Sequence, residues 1–233
     1  MLASRKEMAL ATRSLWNIPN ILTVSRVALI PVLLVVAYSP LIWRHEIAAV
    51  IFAVAAITDW FDGYLARIWN QTSNIGKMLD PIADKLLIAS VLLLMAADGT
   101  IAGWSIWAAI TILCREILVS GLREYLGAAA GTLKVTRLSK WKTTAQMVAI
   151  AVMFLGTGLE YLNGVAMKGM TPEQYVEAVS AGLADPIRAC GNRDCASYAN
   201  LVGIWLLWLA AALTLVTGWE YFVKSLPFLR EDK

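Results

Sequence analysis

Six predominantly apolar stretches dominate this chain, each long enough to cross a lipid bilayer as a helix. They run approximately Ile21–Tyr38, Ile47–Tyr64, Pro81–Ala97, Trp104–Leu122, Trp141–Glu160 and Tyr198–Phe222. A hydrocarbon core about 30 Å thick takes roughly 20 helical residues to span. Lipid offers no partner to a bare backbone N–H or C=O, so only helices and closed barrels cross it. The stretches are helical in period or uniformly apolar and lack the strand alternation of a barrel. The expected fold class is therefore an all-α integral membrane protein with six transmembrane helices. Composition agrees: 59% of the 233 residues are hydrophobic, against roughly 45–50% in a soluble domain. The net charge of +3 comes without a basic, aromatic-interleaved cluster, so nothing supports a nucleic-acid partner.

Charge placement orients the spans. With the N-terminus, the 65–80 and 123–140 loops and the C-terminus on one side, only Arg44, Lys168, Arg188 and Arg193 of the 20 Lys and Arg lie opposite. The positive-inside rule makes the crowded side cytoplasmic. The first apolar run is too long, and lacks the small-residue cleavage site, for a signal peptide, and reads as a retained helix. The expected organisation is a cytoplasmic juxtamembrane segment 1–20, a single membrane catalytic domain 21–224 and a tail 225–233. An extracytoplasmic loop, 161–197, interrupts the domain. Pro19 is expected to break any preceding helix and Asn20 to cap the first span. Trp43, Trp104 and Trp107 on the outer side, and Trp16, Trp69, Trp141 and Trp219 on the inner, read as interfacial anchors. Cys114, within a span, reads as packing. Cys190 and Cys195 fall in the outer loop, where an oxidising compartment would permit a disulfide.

Against this apolar background the run "DWFDGYLARIWNQTSNIGKMLDPIADK" stands out. Asp59 and Asp62 are three apart and Asp80 and Asp84 four apart, so each pair shares one face of its helix. Four carboxylates at the cytoplasmic ends of two successive spans must protonate, pair with cations or bind metal. Oxygen-only ligands suit Mg2+ or Mn2+, whereas zinc asks for His or Cys, and the one histidine, His45, lies on the other side. Two ions about 3.5–4 Å apart would bridge a diphosphate and stabilise charge as a P–O bond breaks, which favours phosphoryl transfer. Gly63 and Gly76 leave space for close approach of a ligand or helix, and Ala66 keeps that face shallow. Arg67 either offers its guanidinium to a phosphate or pairs with an aspartate. Pro81, lacking an N–H, is expected in the first turn of its helix, with Asp80 at the start.

The run resembles the CDP-alcohol phosphotransferase family. That signature, D-x2-D-G-x2-A-R-x8-G-x3-D-x3-D, is met at every fixed position by Asp59, Asp62, Gly63, Ala66, Arg67, Gly76, Asp80 and Asp84. The resemblance implies the CDP-alcohol phosphotransferase fold of six transmembrane helices, a homodimer and a polar cavity open to the cytoplasm. It implies two divalent ions held by the first three aspartates with the fourth close by, so Asp59, Asp62, Asp80 and Asp84 are the candidate metal ligands. The CDP donor would lie against Asp59, Gly63, Ala66, Arg67 and Gly76. Asp84 would take the proton of the acceptor hydroxyl, which attacks the phosphorus nearest the lipid and expels CMP.

The remaining cations bear on the acceptor. Arg115 and Arg123 are eight residues apart, two helical turns, and Lys134, Arg137, Lys140 and Lys142 follow. Facing the carboxylates, they would hold an acceptor carrying its own phosphate; for Lys134, Arg137 and Lys140 the alternative is contact with anionic headgroups. Arg115, deep in an apolar run, needs a partner, and the adjacent Glu116 is one candidate. The passages "NIPNILTVSRVALIP", "REILVSGLREYLG" and "LSKWKTTAQMVAI" resemble bacterial family members that use CDP-diacylglycerol as donor and sn-glycerol 3-phosphate as acceptor and make phosphatidylglycerophosphate. This implies a bacterial inner-membrane enzyme of phospholipid synthesis. Sister enzymes making phosphatidylinositol phosphate, phosphatidylserine or cardiolipin share the fold. An ion-coupled transporter would need acidic residues continuing across the membrane and a paired inverted repeat; the chain shows no such repeat, and outward only loop acids such as Asp98 and Glu160. A membrane scaffold leaves the eight matched positions unexplained.

Overall fold

The computed structural model describes residues 18–69, 74–127, 137–167 and 198–229, with isolated positions 169, 171, 173, 174, 176, 177 and 181. Among these residues it is all-helical, with six long helices: α1 (Ile18–Tyr38), α2 (Arg44–Trp69), α3 (Asn74–Ala97), α4 (Ser105–Leu126), α5 (Arg137–Met167) and α6 (Tyr198–Leu229). Each expected span coincides with one of them. Among the described residues, four windows are long and apolar enough to cross a membrane by length and composition: Ile21–Tyr38, Ser105–Leu126, Trp141–Leu162 and Tyr198–Phe228. Cys190 and Cys195 and the residues before position 18 lie outside the described residues.

The helices run past the apolar windows because a helix needs only a polar or small-residue continuation to keep its hydrogen-bond ladder beyond lipid depth. This corrects two expectations. Pro81 sits inside α3, which begins at Asn74; the missing N–H removes one ladder bond from the interior instead of sparing one at the start. Asn20 lies within α1, and Pro19 takes the first turn, where an amide hydrogen has no intrahelical partner to lose. A third correction concerns Cys114, which is exposed; it shares the outward face of α4 with Ile110, Ile117 and Leu118. Trp43, Trp104, Trp107, Trp141 and Trp219 are all exposed; Trp16 and the side chain of Trp69 lie outside the described residues.

The chain forms two compact units, residues 1–91 and 92–233. In the first, α1 packs against α2. Its buried stripe is Thr23, Arg26, Ile30, Leu33 and Ala37, a spacing of three and four that keeps one helix face inward. In α2 the buried residues include Ala48, Phe52 and Ala55. In the second unit α4 and α5 both pack against α6. Left-handed glycines stand at two helix ends: Gly99 (φ 85°) follows α3, and Gly127 (φ 50°) ends α4 with its N–H directed at the carbonyls of Arg123 and Glu124.

The α5–α6 crossing depends on missing side chains. A Cβ at Gly156 of α5 would stand 2.5 Å from the Asn200 backbone nitrogen and 2.8 Å from its Cα, and one at Gly203 of α6 would run into Met153. Such close approach is how helices associate where lipid removes the hydrophobic drive. Gly156→Ala is therefore expected to lower stability by about 1–3 kcal/mol, because backbone cannot step aside. Gly121→Ala, where a Cβ meets nothing within 4 Å, should leave stability equal or slightly raised. Thermal unfolding of the two variants in detergent checks the contrast; equal midpoints would show that the crossing tolerates a methyl group.

Candidate active site

In the C-terminal turns of α2, positions 59, 62, 63, 66 and 67 recur at helical spacing and so line one face. They carry Asp59, Asp62, Gly63, Ala66 and Arg67; Gly76 occupies the first turn of α3. The side chains of all six lie outside the described residues. Asp80 and Asp84 follow one turn apart on α3, both partly exposed.

Each of these two carboxylates is tied to α1. The Thr23 hydroxyl donates to Asp80 Oδ1 at 2.7 Å, and Arg26 Nη1 donates to Asp84 Oδ1 at 2.8 Å as an ion pair. Thr23 and Arg26 are three apart and Asp80 and Asp84 four apart, so two single-turn steps meet rung by rung. Arg26 has no exposure, whereas 46% of the Asp84 side chain remains exposed. A fully desolvated cation thus holds a carboxylate that still faces outward. The charge-assisted bond fixes one carboxylate oxygen and the rotamer with it.

Neither Thr23 nor Arg26 is among the residues that the motif singles out. The signal was present: an arginine on the inward stripe of an apolar helix needs an anionic partner, and positions 23, 26, 30, 33 and 37 define that stripe.

The second unit carries another charged cluster. Arg115 and Arg123 share a face of α4, as their spacing predicts. Arg115 Nη2 donates to Thr217 Oγ1 on α6 at 3.3 Å, and the Arg123 guanidinium carbon lies 5.7 Å from the centre of the Tyr221 ring, within cation–π range. Lys142 of α5, nearly buried, donates to Glu116, and Arg115 Nη1 is 3.6 Å from the same Oε1. Glu116 therefore serves two cations, not Arg115 alone. Two positive groups around one negative leave the cluster cationic. Lys134 lies outside the described residues, and Arg137 and Lys140 stand in the first turn of α5 with side chains outside them.

A family model for CDP-alcohol phosphatidyltransferases matches residues 16–216. This chain belongs to the CDP-alcohol phosphatidyltransferase family. Similar proteins include three named CDP-diacylglycerol–glycerol-3-phosphate 3-phosphatidyltransferase. That of Cereibacter sphaeroides is 56% identical over 219 residues, 94% of this chain and 99% of the relative. Those of Salmonella choleraesuis and Rickettsia felis are 46% identical over 181 residues and 36% identical over 206. They cover 73% and 88% of this chain, and 98% and 93% of their own lengths.

For a CDP-alcohol phosphatidyltransferase the donor chemistry of these residues fits a hard divalent cation: all four candidate ligands are carboxylates. Asp80 and Asp84 also come preoriented by Thr23 and Arg26. Among the residues whose side chains are described no group of three or more metal-ligating side chains forms, and Asp59 and Asp62 lie outside that set. Arg26→Met, which keeps length and removes charge, is expected to cut transferase turnover by about tenfold or more, because the charged bond orienting Asp84 is lost. Thr23→Val, losing a neutral donor to Asp80, should cost about threefold to tenfold. Steady-state rates on protein that stays monodisperse in detergent check both; an Arg26→Met enzyme at wild-type rate would remove α1 from the site.

Proposed function

We propose that this membrane transferase moves the phosphatidyl group of CDP-diacylglycerol to sn-glycerol 3-phosphate, giving phosphatidylglycerophosphate and CMP. One observation carries the chemistry: two carboxylates on successive turns of α3, each tied at one oxygen by a side chain of α1. Donor and acceptor are those in the relatives' names.

Asp84 acts as general base. Held by Arg26 and partly exposed, it accepts the proton of the acceptor's terminal hydroxyl. That oxygen forms a new P–O bond to the phosphorus bearing the diacylglycerol. The bond from this phosphorus to the bridging oxygen breaks, and CMP leaves with the bridging oxygen and the electron pair. Asp59, Asp62, Asp80 and Asp84 are the residues that would hold Mg2+ or Mn2+, which when bound neutralises diphosphate and leaving-group charge. Gly63, Ala66, Arg67 and Gly76 receive the CDP portion. Arg115, Arg123 and Lys142, with Lys134, Arg137 and Lys140, attract the phosphate of the acceptor.

The six helices are read as six spans in a bacterial inner membrane, with both termini and the active site cytoplasmic, because the basic residues crowd that side. A single catalytic domain, 21–224, working as a homodimer, completes the reading.

The test is CMP release by purified protein with CDP-diacylglycerol and Mg2+, offered glycerol 3-phosphate, inositol 1-phosphate, serine or phosphatidylglycerol separately. Release with glycerol 3-phosphate alone, stopped by EDTA, is expected; release only with another alcohol would assign a sister activity. Asp84→Asn should abolish turnover while CDP-diacylglycerol still binds, as measured by calorimetry. Substantial CMP release from that variant would exclude Asp84 as the base.

A further inference from the structure

α6 took no part in the sequence-based site, yet one face of it is built around the arginines of α4. Gly218 is the clearest sign. It lies inside α6 with ordinary helical backbone, where glycine costs about 1 kcal/mol relative to alanine. A Cβ there would stand 2.8 Å from Arg115 Cγ and 3.3 Å from its Nε. The clash falls on the root of the Arg115 side chain, which cannot yield without moving the guanidinium. Gly218 is therefore the floor on which the Arg115 stem lies.

Thr217 supplies the matching polar contact. Its hydroxyl proton goes back along the helix to the Leu213 carbonyl at 2.8 Å, so the lone pairs are left to accept from Arg115 Nη2. One turn on, the Tyr221 ring lies beneath Arg123. Thr217, Gly218 and Tyr221 thus hold both arginines from one helix face. Arg115 Nε is buried, and it has no hydrogen-bond partner among the described residues. A buried guanidinium donor left open in this way costs free energy unless an acceptor arrives. The Arg115 side chain keeps 12% exposure, and its Nη1 and Nη2 carry N–H donors beyond the one given to Thr217, to which a phosphate could bind.

We infer that Thr217 and Gly218 of α6 are positioning residues that hold Arg115, with Tyr221 doing the same for Arg123, and thereby set affinity for the phosphate-bearing acceptor. The inference rests on the proposed role of Arg115 in acceptor binding. It assigns specificity to a helix that carries no signature residue.

The experiment measures KM for glycerol 3-phosphate and for CDP-diacylglycerol, together with the unfolding midpoint, in full-length Thr217→Val, Thr217→Ser, Gly218→Ala, Arg115→Ala and Thr217→Val/Arg115→Ala. Thr217→Val and Gly218→Ala are expected to raise the acceptor KM by about fivefold to tenfold, from the loss of one charged hydrogen bond, with donor KM held within about twofold. Thr217→Ser, which keeps the hydroxyl, should return the acceptor KM toward wild type. The double variant should be no worse than Arg115→Ala alone, since both substitutions act through one guanidinium. If Arg115→Ala raises the acceptor KM and the α6 variants do not, the positioning role is wrong and acceptor binding by Arg115 stands. If Arg115→Ala leaves the acceptor KM unchanged, the proposed role of Arg115 fails and the inference falls with it. Equal changes in both KM values, or a lowered unfolding midpoint alone, would reduce Thr217 and Gly218 to helix packing. Should Gly218→Ala not fold, Thr217→Val decides, being nearly equal in volume.

Discussion

A guanidinium with no solvent exposure cannot be left alone. Removing an ion from water costs several kcal/mol even after relaxation, and Arg26 is fully buried on the inward stripe of α1. The cost is offset only if a carboxylate stands opposite, and Asp84 does. This requirement fixes more than one bond. It selects the face that α1 turns inward and sets the register of α1 against α3. It also holds one oxygen of Asp84 while nearly half of the side chain stays exposed, which suits the proposed general base. The asymmetry between partners matters: breaking the pair strands the buried member, not the exposed one.

The second unit solves the same problem differently. Lys142 and Arg115 both approach Glu116, so one carboxylate compensates two cations and the cluster stays positive. A neutral arrangement would pack as well and attract nothing. A surplus of positive charge kept in a largely buried place suits the proposed role of binding an anion. The hydroxyl of Thr217 and the missing side chain of Gly218 then act on geometry without changing charge.

How far the sequence revealed this depended on what each residue does. The six helices were legible because lipid-length apolar runs have few other uses, and the helix ends were not, since ladders continue into polar sequence such as 74–80. Asp80 and Asp84 were legible as a pair because carboxylates one turn apart in an apolar chain need partners, and Thr23 and Arg26 are partners of that kind. Arg115 and Arg123 were placed on one face by their separation alone. Thr23, Arg26, Thr217 and Gly218 went unread because they act through other residues, and their partners lie 57, 58 or about a hundred positions away. No local spacing encodes such a contact. Pro81 misled because proline marks a helix start more often than an interior, and here the ladder simply omits one bond.

Polar residues in apolar helices differ in how much they reveal, and α1 shows why. Ser25 donates to the Leu22 carbonyl of its own helix; a hydroxyl can satisfy itself this way and so implies nothing about a partner. Thr217 and Ser225 of α6 make the same backward bond, although Thr217 keeps a lone pair for Arg115. A guanidinium has five donors and no acceptor. The helix backbone cannot absorb it, and it must be met from elsewhere in the fold. Arginine within an apolar window therefore carries information that serine and threonine do not. In this chain Arg26 and Arg115 are such residues, and each leads directly to a group of the proposed site: Arg26 to the base, Arg115 to the anion-binding cluster. The aspartate signature points to the chemistry, while the arginines facing inward identify, within each unit, the helix that carries a buried charge.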